Sequence, residues 1–304
     1  MESKDKQSII KKKYDFKNIF QKKNKIEVKK INNIRISTYN IHYWTDVYEK
    51  PSLTKILEDI KYINSDVLFL QEVVFGIKYE LHGKTVNTEK IINKLESLGY
   101  FIIFCNTLPT WFGGIYGNMM CIKNRYKNII DNTNYTFEKS IKSCIVSGNK
   151  EGTKETRCYI KLEFLDFVII GVHLDVCSEI ERKKQIKMII KLLDNKKYKN
   201  KKLIILGDFN TTDIRQYSDN IIKNEILNYV FNNNRYQMNN GLIKLIKNNN
   251  FKSSTESLNI NNTCWSGIQT DYIFIKGVST FKPQIYYTNN SDHLPLIIDI
   301  KLNK

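Results

Sequence analysis

Six times along this 304-residue chain an apolar, strand-like run stops at a residue able to do chemistry. Ile34-Arg-Ile-Ser-Thr-Tyr runs into Asn40, and Val67-Leu-Phe-Leu into Gln71-Glu72. Phe167-Val-Ile-Ile-Gly-Val ends at His173-Leu-Asp175, and Leu203-Ile-Ile-Leu-Gly at Asp208-Phe-Asn210. Thr270-Asp271-Tyr-Ile-Phe and Ser291-Asp292-His293-Leu-Pro295 follow late in the chain. Short continuous apolar runs are strands buried on both faces. In α/β proteins ligands gather where strand ends meet loops. Six such endings predict one shared site.

Between and beside these runs the texture alternates. Strands are expected at 34–39, 67–70, 101–105, 118–122, 157–162, 167–172, 203–206, 271–275 and 296–300. Helices are expected at 53–63, 89–98, 179–193, 224–231 and 241–249. The first helix follows Pro51-Ser52, a start signal, and the second stops at Gly99. Strands with intervening helices predict an α/β domain of stacked layers. Residues 1–33 are Lys-rich with weak periodicity and read as an extension. Residues 34–304 read as a single catalytic domain.

Carboxylates with an amide make a hard oxygen site suited to Mg²⁺, with Mn²⁺ as the alternative ion. One histidine can deprotonate water and a second can protonate a leaving oxygen near neutral pH. An acidic neighbour can fix an imidazole tautomer. Taken singly, each residue has an ordinary alternative. Asn40 can cap a turn, Glu72 can be a surface carboxylate, and Asp208 can head an Asx turn. His173 and His293 can be strand-end and loop histidines, and Asp271 can cap the strand it begins. Arg157 can serve a surface ion pair, and Asn118 a turn.

Taken together the segments S-T-Y-N-I, L-Q-E-V, G-V-H-L-D, L-G-D-F-N, T-D-Y-I-F and S-D-H-L-P resemble, in order, the motif set of the endonuclease/exonuclease/phosphatase superfamily, the DNase I-like phosphoesterases. The resemblance runs from about Ile34 to Ile300. It implies a four-layer α/β sandwich, two packed sheets flanked by helices. It implies that Asn40 and Glu72 face the metal, with Asp208 and Asp292 as further metal-side carboxylates. Asp208 and Asn210 would hold metal or nucleophile and the scissile phosphate. His293 would be the general base, oriented by Asp271. His173 would donate a proton or contact phosphate. Arg157, in E-T-R-C-Y, and Asn118, in Y-G-N-M-M, would face the substrate. A Tyr stands at the position of His173 in abasic-site endonucleases, which points away from that branch. The Glu that supports the first histidine of DNase I has no evident counterpart, and Asp175 is the nearest acid in sequence.

Composition bears on the substrate. The formal charge is +17, and the first 30 residues carry eleven Lys against four acids. Such an excess suits a polyanion, DNA above all. Only six of the 48 basic residues are Arg, so drift of surface positions to Lys in an AT-rich genome also accounts for it. Lys11 to Lys13 with Lys22 and Lys23 could direct nuclear import. Trp44, Trp111, Phe112, Tyr116 and Trp265 fall near the expected rim, as stacking surfaces or as packing. Six cysteines without C-x-x-C spacing argue against zinc and against a disulfide framework. No apolar run reaches the ~20 residues of a membrane helix, and the N-terminus lacks a signal-peptide core, so an intracellular protein is expected. The leading expectation is a Mg²⁺-dependent nuclease of endonuclease or repair type. The alternatives are a 5′-tyrosyl-DNA phosphodiesterase, a sphingomyelinase or inositol-phosphate phosphatase acting at a membrane surface, and a non-catalytic nucleic-acid-binding module.

Overall fold

All nine expected strands form, and they sort into two sheets with one internal pattern. A computed structural model describes residues 26–27, 29–30, 32–76, 79–81, 84–109, 114–129, 131–137, 156–176, 178–213, 241–258, 262–264 and 267–302. The elements are β1 (Asn33–Asn40), α1 (Leu53–Ile63), β2 (Val67–Phe75), β3 (Tyr79–Leu81), β4 (Lys84–Val86), α2 (Thr88–Ser97), β5 (Tyr100–Pro109), β6 (Ile115–Lys123), β7 (Asp131–Thr136), β8 (Cys158–Phe164), β9 (Phe167–His173), α3 (Glu179–Leu193), β10 (Lys202–Asp208), α4 (Gly241–Asn248), β11 (Lys252–Ser253), β12 (Asp271–Lys276), β13 (Phe281–Ile285) and β14 (Leu296–Lys301).

The first sheet has the order β13-β14-β1-β2-β6-β5, the second β11-β12-β10-β9-β8-β7, and β3 pairs with β4 alone. Each large sheet has one parallel pair at its centre, β1 with β2 and β9 with β10, flanked by antiparallel neighbours. The C-terminal ends of a parallel pair share an edge. The antiparallel strand beside the pair brings its start to the same edge. Asp271 thus lies opposite Asp208, and the turn before β14 lies beside the end of β1.

Side-chain alternation builds the layers. Phe69 points between the sheets with Ile34, Ile36, Ile169, Ile204 and Ile298. Leu68 and Leu70 point outward, where Ile56, Leu57 and Ile60 of α1 and Ile91 and Leu95 of α2 cover them. Val168 and Ile170 are covered likewise by Ile186 and Ile189 of α3 and Leu242 and Ile246 of α4. The result is the expected four-layer sandwich. Each fully buried aliphatic side chain contributes about 1.5–3 kcal/mol. In α1 the buried stripe Ile56, Leu57, Ile60, Ile63 repeats at helical spacing, and the helix stops at Asn64, left-handed at φ 49°.

Some expectations need correction. The 179–193 helix carries Arg182 and several Lys, a pattern that reads in sequence as a solvated face, yet Arg182 is fully buried and donates to Asp175 O, Val176 O and Glu179. Trp44 is core, not rim, with Nε1 donating to Val74 O at 3.0 Å. Cys105, Cys121, Cys158 and Cys264 are buried free thiols, as expected. Cys144, Cys177, Trp111, Phe112, Trp265, the 224–231 helix and Lys11 to Lys23 lie outside the described residues. Among the described residues no helix is long and apolar enough to cross a membrane.

Candidate active site

The shared edge of the central strands collects nearly all the residues singled out by sequence. Asn40 closes β1 and is fully buried, its amide Nδ2 donating to Glu72 Oε1 at 3.0 Å and to Asp208 Oδ2 at 3.1 Å. One side chain of the first sheet therefore bridges a carboxylate from each sheet. Asp208 pairs with His173 across the parallel β9–β10 register. His173 Nε2 stands 3.7 Å from Asp208 Oδ2 and 4.0 Å from Glu72 Oε1. His293 Nε2 stands 3.9 Å from the same Asp208 oxygen.

Local backbone explains why these side chains converge. The β2–β6 register shifts between Leu70 and Val73, and Glu72 within that irregularity is left-handed at φ 59°. A non-glycine residue held there costs about 1–3 kcal/mol, the cost of turning its carboxylate toward Asn40. In the L-G-D-F-N segment, Gly207 adopts φ 139°, and a Cβ there would lie 1.8 Å from Val172 O. Only glycine lets β10 lie that close to β9. Asn210 then turns back (φ 48°), its N–H donating to Asp208 Oδ1 at 2.8 Å and its amide to Leu174 O at 3.0 Å.

His293 is the best-fixed group. Its Nδ1 lies 2.8 Å from Asp271 Oδ2. That oxygen also accepts from Thr263 Oγ1 at 2.7 Å, and Thr263 Oγ1 accepts from the Thr270 and Asp271 N–H groups. The turn bearing His293 is tied back by Ser291 Oγ donating to Asn40 O at 2.8 Å.

Asp292 lies on the other flank, its Oδ1 3.8 Å from His42 Nδ1. His42 begins a turn in which His42, Tyr43 and Trp44 are all left-handed (φ 41°, 55° and 67°). Arg157 is buried, its Nη1 3.1 and 3.3 Å from the two ring nitrogens of His173 and 3.3 Å from Tyr116 OH. Asn118 lies on β6 between the partners of Leu70 and Val73, opposite the Glu72 bulge, and its Nδ2 donates to Cys158 Sγ at 3.3 Å. Its Oδ1 has no hydrogen-bond partner among the described residues. Asp175 accepts from Ser178 N–H at 2.6 Å at the entry to α3, while the group beside His173 is Arg157.

The electrostatics follow from crowding charge into a buried place. Burial lifts Asp208 to about 7, and neighbouring Asp271 pushes the same way. Burial also raises Glu72, with the charge of Asp292 adding to it and His42 opposing. His173 is held well below the ordinary imidazole value by burial, then by Arg157 and His293. Burial also works against a charged His293, but Asp271 and Asp292 outweigh it and hold its pKa well above the usual value. Two groups of donor atoms are compact enough to grip a cation: Glu72, His173 and Asp208, and Asp208, Asp271 and His293. Buried carboxylates that resist ionising, joined only through an amide, fit a divalent cation, whose charge would offset their own. Sequence reasoning missed Thr263 and the tie made by Ser291, read Tyr116 as a rim aromatic rather than as a partner of Arg157, and left His42 without a role.

A model of the Endonuclease/Exonuclease/phosphatase family matches residues 38–293. No curated protein matches the sequence. Among solved structures the chain is similar to an endonuclease/exonuclease/phosphatase from Beutenbergia cavernae, with TM-score 0.63 and 18% identity over 90% of this chain and 72% of that one. It is similar to the catalytic domain of human Nocturnin with bound sulfate anion, with TM-score 0.54 and 18% identity over 90% and 95% of the two chains. It also resembles ANGEL2, a 2′,3′-cyclic phosphatase, with TM-score 0.55 and 16% identity over 93% and 100%. At these identities the structural likenesses speak for the fold.

Proposed function

This chain belongs to the endonuclease/exonuclease/phosphatase family, metal-dependent hydrolases of phosphoester bonds, and we propose that it cleaves nucleic-acid phosphodiesters, DNA first among them, with Mg²⁺. The observation that carries the reading is the meeting of Asn40, Glu72, His173, Asp208 and His293 at one sheet edge, with Arg157 beside them.

A divalent cation held by Glu72 and Asp208 would supply positive charge against the phosphoryl oxygens and against the acidic cluster. The chain's own residues do the rest. Asp271 accepts from His293 Nδ1–H, leaving Nε2 as the atom that takes a proton from water once the acidic charge around it is offset. Asn210 and Asn118 offer amides to the phosphate. His173, kept neutral by burial beside Arg157, contributes a neutral N–H, and Arg157 the permanent charge. On this reading His173 binds the phosphate, and the proton-donor role is the lesser of the two that the resemblance allowed. Asp292 acts from the metal side through the charge it places near Glu72. The excess of positive charge over the whole chain suits a long polyanion.

The test is turnover of supercoiled plasmid, single-stranded oligonucleotides, a 2′,3′-cyclic-phosphate oligonucleotide and sphingomyelin vesicles, each in Mg²⁺ with and without EDTA. EDTA-sensitive plasmid nicking is expected. Turnover of the cyclic phosphate alone would move the reading to RNA ends, with ANGEL2, a 2′,3′-cyclic phosphatase, as the parallel. Turnover of vesicles alone would move it to lipid headgroups.

A further inference from the structure

One buried acid has no part in the chemistry described so far. Asp59 lies on the stripe of α1 that otherwise buries Ile56, Leu57, Ile60 and Ile63, and it is 4% exposed. Its Oδ2 accepts from Asn290 Nδ2 at 2.9 Å, from Thr288 Oγ1 at 3.1 Å and from Tyr39 OH at 3.4 Å. These donors belong to two segments of the site. Tyr39 immediately precedes Asn40, and Thr288 and Asn290 lead into Ser291-Asp292-His293. The same segment is tied at Val47 N–H to Asn289 O and at Ser291 Oγ to Asn40 O. A helix on the outer face of the first sheet is thus fastened to the turn that carries His293.

Folding alone gives little reason for an acid here. Burial lifts Asp59 to about 6, and the hydrogen bonds from Asn290, Thr288, Tyr39 and Tyr286 only partly oppose that rise. The folded state therefore prefers the protonated carboxyl. The stability contribution is full below the ordinary value of 3.8 and is lost as pH rises through about 6. A neutral side chain of the same size escapes that loss. What the carboxylate does supply is a charged, acceptor-only group on which three donors converge, whereas an amide brings a neutral oxygen and an NH₂ that needs acceptors of its own.

We propose that Asp59 is a positioning residue for the hydrolytic site: by holding Thr288, Asn290 and Tyr39 together it sets where the Asp292-His293 turn stands against Asn40 and Asp208. This rests on the reading of His293 as a group that acts on substrate. Supporting groups of this kind are worth about 10- to 100-fold in activity, because displacements on the order of 1 Å are costly.

The experiment compares wild type, Asp59→Asn and the exchange Asp59→Asn/Asn290→Asp. The exchange returns a carboxylate to the same bond from the other side. Measured are kcat and KM for bis-p-nitrophenyl phosphate and plasmid in Mg²⁺, the melting temperature at pH 8, and the ring ¹H–¹⁵N signals of His293. Asp59→Asn is expected to lower kcat about 10- to 100-fold at unchanged KM. It should shift the His293 signals and leave the melting temperature equal or higher, and the exchange should recover kcat and the signals. Unchanged kcat with unchanged ring signals would overturn the inference. So would a loss of kcat that tracks a lower melting temperature and is not recovered by the exchange. If wild type turns over nothing, the hydrolase reading fails, and the ring signals alone still decide whether Asp59 places His293.

Discussion

The two sheets share one strand pattern yet deliver their residues by different backbone means. The second sheet keeps β9 and β10 in register to the end, so that His173 faces Asp208 directly. Its one irregular strand residue at the site is a glycine, Gly207. The first sheet breaks register at Glu72 and follows Asn40 with three left-handed residues that all carry a Cβ. Such residues persist only where surroundings hold them. Here the holders are Asn40, accepting from His42 N–H through Oδ1 and donating to Glu72, and Trp44, anchored on Val74 O. Left-handed strain at the site is thus heavier in the first sheet, which supplies Asn40, Glu72 and Asp292, than in the second, where Asn210 is the non-glycine site residue at positive φ.

The sharpest way to break the comparison is at the atom both sheets share. Asp208→Asn and His293→Ala are each expected to lower kcat on the order of 10²–10⁴-fold, measured as plasmid nicking in Mg²⁺. A small effect at Asp208 would mean the sheets do not meet in function. Next comes Gly207→Ala, whose added Cβ meets Val172 O. It should destabilise by about 2–3 kcal/mol or more in urea unfolding and take activity with it. The counterpart in the first sheet should behave oppositely. Glu72→Asn places a side chain that tolerates φ > 0, so stability should rise by up to about 1 kcal/mol while activity is lost. If Glu72→Asn destabilises as Gly207→Ala does, the strain account of the first sheet is wrong. The smallest effect belongs to Trp44→Phe, which removes the bond to Val74 O. A loss of about 1 kcal/mol is expected, together with a modest rise in the Mg²⁺ concentration needed for half-maximal rate.

Much of this was legible because the buried parts of the molecule advertise themselves. Several of the nine expected strands are continuous apolar runs covered on both faces, as in β9 and β10, and α1 and α3 keep the bounds expected of them. Of the four edge strands of the two large sheets, β5 was read and β7, β11 and β13 were not. β7 is Asp-Asn-Thr-Asn-Tyr-Thr, and β13 carries Pro283, so neither has the apolar pattern of a central strand. The site was legible wherever a reactive residue closes a run, as at Asn40, His173 and Asp208. It was not legible where a residue acts through hydrogen bonds across the chain. Thr263 beneath Asp271 and Asp59 beneath Asn290 are 8 and 231 residues from the partners they hold. Periodicity carries no trace of such pairs. Gly171 shows the intermediate case: its place in G-V-H-L-D is visible, but the reason, a Cβ 2.4 Å from the Phe69 ring of the facing sheet, is not.

The central claim is that the two sheets hold one cation site between them. Calorimetric titration of Mg²⁺ into wild type, Glu72→Gln, Asp208→Asn and the double variant tests it directly. One shared site predicts that either single change removes binding as completely as both together. Additive losses, or full binding retained in either single variant, would contradict it.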